Sequence, residues 1–486
     1  MFKRPTISRR HFTLGAAALA AAPVVSQSSI TYAQPATPTN HRGDAPLEDF
    51  NTLVRWLSTQ AQELQVPGAA VGVAAGDQRF THAFGVTETG TEEAFTTSTQ
   101  FGIASLTKIF TATALSSLVH EGALSLDHPV TRYIPDFRLA HPDATAAVTV
   151  GHLVSHAGGW ADILEPVPGQ DSLTWYATQM ADLPQIAPAG TQFSYGNSGF
   201  MLAGAVIEQG TGAPYESVIS ESVLQPLGMS QSGFAAKSGP TVNRAIGHQL
   251  ADGVLAPIPI EDYPRAIHPA GGLISNIDDM LTFVQAHAGI EPGQVNPEAL
   301  ASMQQPLNGG GSVGPIVVDN IGTGWMILDM DGETVLMSQG GDAGLISAMV
   351  AIPSRQFAMV VLANSDTAMM LVNDAVLRGI STFTGLSLPE PAVHQLTSQE
   401  ATNAEGRFGL PEWMTFTTTS ADGGLNVVAS AGGEEIPDLS GAFTMTSATQ
   451  GYKPHLGGKL WIDLVPDDSG SIQWLRFAAR LLPRIT

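Results

Sequence analysis

Cysteine is absent from all 486 residues. That excludes disulfides, a thiol nucleophile and a thiolate metal site, so stability has to come from an apolar core. Lysine is nearly as scarce: Lys3, Lys108, Lys237, Lys453 and Lys459 are the complete set. Charged residues are only 13% of the chain, and 21 Lys and Arg against 44 Asp and Glu give a formal net charge of −23. No basic patch offers phosphate contacts, which excludes general nucleic-acid binding. An acidic surface of this kind serves solubility first. Two hydrolase and nucleotide signatures are missing as well. Gly309-Gly310-Gly311 is not followed by the Gly-Lys-Ser/Thr of a phosphate loop, and Gly196-Asn197-Ser198-Gly199 lacks the spacing of a Gly-x-Ser-x-Gly elbow. Beyond the first 33 residues no apolar run is long enough to span a membrane, so the mature chain is expected to have no membrane span.

What is present begins with a targeting segment. Lys3 and Arg4, the run Ser8-Arg9-Arg10-His11-Phe12, a short apolar stretch from Leu14 to Val25 and a small-residue cleavage site at Thr31-Tyr32-Ala33 read as an export signal. Paired arginines followed by Phe resemble the twin-arginine signal of bacteria, which places the mature protein in the periplasm or outside the cell. Residues 34–45 read as a linker, 46–388 as the main domain, 389–400 around Pro389-Glu390-Pro391 as a second linker, and 401–486 as a small, turn-rich all-β domain.

Within the main domain, Leu47, Phe50, Leu53, Val54, Trp56 and Leu57 have helical spacing. Two strands follow, Val66 to Ala74 and Arg79 to Val86. Residues 172–185 and 199–225 are helical by pattern, and 309–311 reads as a flexible surface loop. From Gly322 onward, strands at 325–329, 334–338, 345–352 and 357–363 with short turns imply an antiparallel sheet, followed by a helix from Asp366 to Thr384. His152 and His156 have the i, i+4 spacing of a helical zinc pair, but Leu153 stands where a metalloprotease has Glu and no further ligand cluster accompanies them, so no metal and no cofactor is expected.

The chemistry centres on Phe101-Gly-Ile-Ala-Ser105-Leu-Thr-Lys108-Ile-Phe110, the start of a long apolar run. Residues three apart share a helical face, so the Ser105 hydroxyl and the Lys108 amine can meet. A serine needs a neighbouring base, and a lysine in apolar surroundings can be one. No acidic residue lies between Lys108 and Glu121 to pair with the ammonium, and only Lys108 has a serine three residues before it. Farther on come Tyr195-x-Asn197 and then Gln339-Gly340-Gly341.

Ser-x-x-Lys, Tyr-x-Asn and a Gly-rich strand start, in that order, resemble the serine β-lactamase and penicillin-binding-protein superfamily, in particular its class C β-lactamase, D-aminopeptidase and esterase branch. Val66-Pro67-Gly68, His156-Ala-Gly-Gly159, Pro226-Leu-Gly-Met229, Gly271-Gly272-Leu273 and Gly324-Trp325 add to it, over about residues 46–385. The resemblance implies an α+β fold, an antiparallel sheet flanked by helices with a helical subdomain. It implies a Ser105 acyl-enzyme, Lys108 and Tyr195 sharing its proton, and Asn197 on the substrate or on Lys108. It also implies substrate contacts by Gln339, Gly340 and Gly341 and an oxyanion hole from the N–H groups of Ser105 and Asp342. Relatives begin their third motif with Lys or His. Gln339, taken as that residue, brings no cation, which favours a small ester as substrate over a D-peptide or a β-lactam. A catalytically silent protein that binds cell-wall peptides is the competing class. The C-terminal domain resembles the lipocalin-like barrels appended to several of these hydrolases, carried by Glu405-Gly-Arg-Phe408 and Trp474-Leu-Arg-Phe477.

Overall fold

Strands with apolar residues at every position need cover on both faces. Gly68–Ala75 (β1) is such a strand: Ala69, Val71 and Val73 enter one buried cluster while Ala70 and Ala74 enter another. In the computed structural model, which describes residues 45–163, 169–234, 243–251, 253–259, 264–291, 293–410, 413–455 and 458–485, β1 lies inside an eight-stranded antiparallel sheet. The export-signal reading falls on residues 1–33, outside the described residues. The other strands are β2 (Gln78–Gly85), β3 (Asn308–Val313), β4 (Ile316–Ile321), β5 (Met326–Met330), β6 (Glu333–Asp342), β7 (Leu345–Ile352) and β8 (Phe357–Ala363). Their order is β2-β1-β8-β7-β6-β5-β4-β3, so the two chain ends of the domain meet where β1 pairs with β8 (Ala69↔Ala363 to Ala75↔Phe357).

One face is covered by α1 (Ala45–Glu63) and the closing helix Met369–Thr384, which pack on each other. The opposite face carries the helical subdomain, with α2 (Thr107–His120), α3 (Asn197–Thr211) and α4 (Ile277–His287). Helix α2 is covered on all sides, and every residue from Thr107 to Leu118 is buried, as expected of a central helix. Its hydroxyls are satisfied within the fold: Thr111 donates to the Pro269 carbonyl at 2.7 Å and Thr113 to that of Ile109 at 2.7 Å. Phe110 stacks on Phe283 of α4 with centroids 3.7 Å apart. The closing helix is α5 from here on.

The helical readings at 172–185 and 199–225 are each shorter in the structure. The first is Trp175–Gln179 with a 3₁₀ turn. The second stops at Thr211, where Gly212 turns left-handed (φ +71°) and Pro214 bars continuation, before Tyr215–Ile219 resumes. The supposed loop at 309–311 is edge strand β3. A Cβ on Gly311 (φ +148°) would lie 2.1 Å from an Arg476 nitrogen, so this glycine lets the C-terminal domain press against the sheet.

That domain is a closed eight-stranded barrel of β9 (Gly406–Leu410), β10 (Met414–Ala421), β11 (Gly424–Ala431), β12 (Gly441–Met445), β13 (Gln450–His455), β14 (Gly458–Pro466), β15 (Ile472–Phe477) and β16 (Arg480–Ile485), with the β10–β11 pairing closing it. Phe408, Phe416, Phe443, Leu460, Leu475 and Phe477 fill its interior, so it is a packed core. A helix, Ser398–Ala404, begins with a Thr397/Glu400 capping box and leads into the barrel. Among the described residues no helix is long and apolar enough to cross a membrane.

Candidate active site

Ser105 sits in the 3₁₀ turn Ala104–Leu106 that feeds α2, directly after Ala104, whose left-handed backbone (φ +51°) is a strained conformation for alanine. The hydroxyl is held from two sides. Lys108 Nζ donates to Ser105 Oγ at 3.0 Å and the Tyr195 hydroxyl donates to it at 2.8 Å. Lys108 is buried, 3% exposed, and its amine also donates to the Ala270 carbonyl at 2.7 Å and lies 5.0 Å from the Tyr195 ring centre. Among the described residues no carboxylate is within ion-pair distance of it. The amine is therefore fixed by a hydroxyl, a carbonyl and an aromatic face, which leaves it able to exchange a proton with Ser105.

Tyr195 closes a loop just ahead of α3. Asp162 caps that helix: its carboxylate accepts from the N–H groups of Asn197 at 2.6 Å and Ser198 at 3.2 Å, and from the Ser198 hydroxyl. Asn197 is thus placed in the first helical turn beside Tyr195. Behind the Tyr195 ring, 4.5 Å away, is the buried imidazole of His156. Its Nδ1 accepts from the Gly196 N–H at 3.2 Å. Burial, aided by the nearby Lys108 and Arg480 charges, pushes His156 down to about 3, so it stays neutral. The zinc-pair reading of His152 and His156 fails on backbone geometry. The helix ends at Val154, His156 is left-handed (φ +54°), and His152 Nδ1 accepts from the Thr149 N–H as part of a helix cap. Sequence spacing could not reveal that the helix stops between them.

The third motif lies on β6, one residue earlier than the sequence suggests. Side chains alternate along a strand. Gly340 faces the turn that carries Ser105 ahead of α2, since a Cβ there would sit 3.2 Å from the Ser105 nitrogen and 2.5 Å from the Ile103 oxygen. Ser338 shares that face. Gln339 and Gly341 face α5, where the Gln339 amide donates to Asn373 and Asn373 donates to the Met369 carbonyl at 2.8 Å. The residue aligned with the nucleophile is therefore Ser338, and Gln339 points away from it. The oxyanion hole shifts by one residue too. A two-residue turn, Ala343-Gly344 (φ +43° and +74°), joins β6 to β7, and in such a hairpin the flanking pair Asp342↔Leu345 exchanges both backbone hydrogen bonds. The Asp342 N–H is thereby directed into the sheet. Strand β5 pairs with β6 only as far as Met337, so the edge beyond is open, and the ladder alternation turns the Gly341 N–H away from β7 toward that open edge. The expected donor Asp342 is replaced by Gly341.

Several site residues had no signal in the sequence: the Ala270 carbonyl, His156 as the support of Tyr195, Asp162 as the helix cap, and Arg480, which arrives from the barrel. Arg480 Nη1 donates to the Asp162 carbonyl at 2.9 Å.

A serine held between a buried lysine and a tyrosine, at the junction of an antiparallel sheet and a helical subdomain, is the arrangement of the β-lactamase-fold family of serine hydrolases. The family model described as Beta-lactamase matches residues 53–380, and the chain belongs to that family. Among curated relatives, penicillin-binding protein 4 of Amycolatopsis lactamdurans is 29% identical over 337 residues, covering 68% of this chain and 88% of that protein. Unguisins hydrolase ungD' of Aspergillus campestris is 27% identical over 352 residues, and the match covers 67% of this chain and 63% of that longer protein. Among solved structures, SurE superposes with a TM-score of 0.73 at 22% identity, covering 91% of this chain and 100% of SurE. The octameric penicillin-binding protein homologue of Pyrococcus abyssi gives 0.61 at 23% identity, covering 89% and 99%. Both structures share the fold.

Proposed function

We propose that this protein hydrolyses carboxylic esters and amides through an acyl-enzyme on Ser105. The observation that carries the reading is the shared contact at Ser105 Oγ, with Lys108 Nζ at 3.0 Å and the Tyr195 hydroxyl at 2.8 Å. Lys108 and Tyr195 together accept the serine proton as Oγ bonds to the substrate carbonyl carbon. The N–H groups of Ser105 and Gly341 stabilise the oxyanion by about 3–4 kcal/mol per donor. As the carbonyl re-forms, the bond to the leaving oxygen or nitrogen breaks, and Tyr195 returns the proton to that atom. Water then attacks the acyl carbon, giving its proton to the same pair. As the carbonyl re-forms, the bond to Ser105 Oγ breaks, the pair returns the proton to Oγ, and the acid is released.

Short-chain esters, which need no charged subsite, are the simplest substrates for a third motif that brings no cation. A second reading, hydrolysis of peptides containing D-residues, is supported by SurE, which shares the fold and whose structure has also been solved with D-Leu. The N-terminal twin-arginine-type segment supports action in the periplasm or outside the cell. The test is pre-steady-state release of p-nitrophenol from a short-chain p-nitrophenyl ester. Wild type should give a burst equal to the enzyme concentration, and Ser105→Ala should abolish it, with turnover falling by about 10⁴-fold or more. Full activity in Ser105→Ala would overturn the mechanism. Failure of wild type to acylate on esters, D-peptides or β-lactams would favour the silent binding protein.

A further inference from the structure

Ser338 and Gln339 place no cation at the open edge of β6, yet a guanidinium reaches the catalytic tyrosine from the other domain. Strands β15 and β16 are joined by Ala478-Ala479, both left-handed (φ +46° and +66°). This turn is seated in the hydrolase domain. The Tyr195 N–H donates to the Ala479 carbonyl at 2.8 Å, the Ala479 N–H to that of Ser312 at 3.0 Å, and the Leu481 N–H to the Ser194 hydroxyl at 3.1 Å. Arg480 lies between Ala479 and Leu481, so these three bonds fix its backbone position from both sides.

The Arg480 guanidinium carbon is 6.0 Å from the Tyr195 ring centre and 5.9 Å from that of Trp413. One nitrogen, Nη1, is turned to Asp162, at 2.9 Å from its carbonyl and 3.6 Å from Oδ2. The Asp162 carboxylate is itself committed to the N–H groups of Asn197 and Ser198 at the start of α3, so it does not consume the guanidinium's charge alone. The side chain is 25% exposed, and its Nε–Nη2 edge makes no hydrogen bond among the described residues. A guanidinium held between two aromatic rings, anchored at one nitrogen and open along a two-donor edge, is built to grip a carboxylate in a planar fork.

Position selects which part of the substrate it meets. Tyr195 returns the proton to the departing atom, so groups that flank Tyr195 on the barrel side face the leaving group. We infer that Arg480 is a specificity residue that binds a carboxylate on the leaving group, as in a peptide C-terminus released as an amino acid or a small carboxylated alcohol or thiol released from its ester. The barrel thereby supplies the anion recognition that the third motif lacks. This inference rests on the acyl-enzyme reading above.

The test uses the full chain and two thioesters with one acyl group, N-benzoylglycine. One has thioglycolate as leaving group and the other has thioglycolamide, its neutral isostere. Ser105 Oγ bonds to the thioester carbon, the C–S bond breaks, and the released thiol is followed with a chromogenic disulfide. Wild type should prefer the carboxylated thioester in kcat/KM, and Arg480→Gln should lower the ratio of the two kcat/KM values by on the order of ten- to a hundredfold. Arg480→Lys, which keeps the charge and loses the fork, should fall between them and serves if the glutamine variant does not fold. Rising salt should erode the wild-type preference. An equal loss on both thioesters in the variants would make Arg480 a structural latch on Asp162 and overturn the inference. So would a wild type with no preference. Absence of acylation of Ser105 by either thioester would overturn the acyl-enzyme reading itself, and this inference with it.

Discussion

The two hydroxyls that meet at the nucleophile are held in opposite ways. Ser105 is fixed from inside: a 3₁₀ turn runs into α2, Lys108 is one helical turn on, and everything around them is core. Tyr195 is fixed from outside. Its loop is pinned by the Asp162 cap on one side and by the barrel on the other, through Ala479, Leu481 and Arg476, whose Nε donates to the Phe193 carbonyl at 3.2 Å. The first half of the site is local in sequence and owes its geometry to one helix. The second half joins segments some 280 residues apart and owes its geometry to the docking of two domains. Chemistry at Ser105 is therefore expected to survive changes in the barrel as a capacity, while its rate depends on how the barrel holds Tyr195.

The largest effect sharpens this contrast directly. Lys108→Met should lower the acylation rate by about 10⁴-fold, the upper end of general acid–base contributions, and Tyr195→Phe by about 10²–10³-fold, because the lysine amine still contacts the serine. Stopped-flow acylation by the same p-nitrophenyl ester measures both. A Tyr195→Phe loss exceeding that of Lys108→Met would reverse the ranking and make the barrel-held half the dominant base.

The next effect falls on the docking. Arg476 and Asp463 form an ion pair at 2.9 Å with side chains only 6% and 8% exposed, and the Ser312 N–H donates to the same carboxylate at 2.7 Å. Arg476→Ala leaves that carboxylate buried without its cation, held only by the Ser312 N–H and by the Gln450 amide, which donates to its other oxygen at 3.0 Å, and should cost about 3–5 kcal/mol. Chemical denaturation should show the barrel transition moving to lower denaturant. If the comparison holds, acylation in native buffer slows as the Phe193–Tyr195 loop loosens. Unchanged acylation with lowered stability would show that the loop is set by the Asp162 cap alone.

These halves also differed in how far the sequence revealed them. Ser105, Lys108 and the strand run from Trp325 to Ala363 were legible because a motif four residues long and strands with short turns carry their geometry in local spacing. Strands β1 and β8 were legible as strands from their unbroken apolar runs. Arg480 was not, because nothing in Ala478-Ala479-Arg480 marks where a barrel turn will land. Gly309 to Gly311 looked like a loop because glycine runs usually are, and here the missing side chains make room for Arg476. The one-residue shift from Gln339 to Ser338, and from Asp342 to Gly341, could be resolved only by knowing which face of β6 meets α2 and which turn closes the hairpin. The i, i+4 spacing of His152 and His156 carried little information for a related reason, since spacing cannot show where a five-residue helix ends.

Acid titration separates the two halves more gently. His156 behind Tyr195 and His287 behind α2 are both pushed down to about 3 by burial. Each folded-state value lies below the unfolded value of about 6.5, so the unfolded chain binds the extra proton. Stability is therefore full above about pH 6.5 and falls as pH drops toward 3, by about 1.4 kcal/mol per pH unit for each histidine. His156→Asn, which suits the left-handed backbone there, and His287→Gln should each remove that much slope from midpoints of denaturation measured between pH 4 and 6. Only His156→Asn should also slow acylation. A slope unchanged in either variant would mean that the imidazole is not buried neutral.

The smallest effect concerns the turn that joins the halves. Ala478 and Ala479 both hold left-handed backbone in a two-residue hairpin, a conformation that costs alanine about 1 kcal/mol and that Asn-Gly would adopt more readily. The two positions are nevertheless unequal. The Ala479 methyl is 4% exposed and belongs to the apolar cluster of the hydrolase domain, whereas Ala478 is only half-buried against the barrel. Ala478→Asn should gain about 0.5–1 kcal/mol by matching residue to backbone. Ala479→Gly relieves a similar strain but gives up a buried methyl worth about 0.8 kcal/mol, so the two terms should cancel to within about 0.5 kcal/mol. Denaturation midpoints of the two single variants decide the point. Equal gains at both positions would mean that the Ala479 methyl contributes nothing to the junction, and that backbone hydrogen bonds alone seat the barrel against Tyr195. A gain at Ala478 only would mean that the barrel keeps a strained turn because its tip is part of the other domain's core.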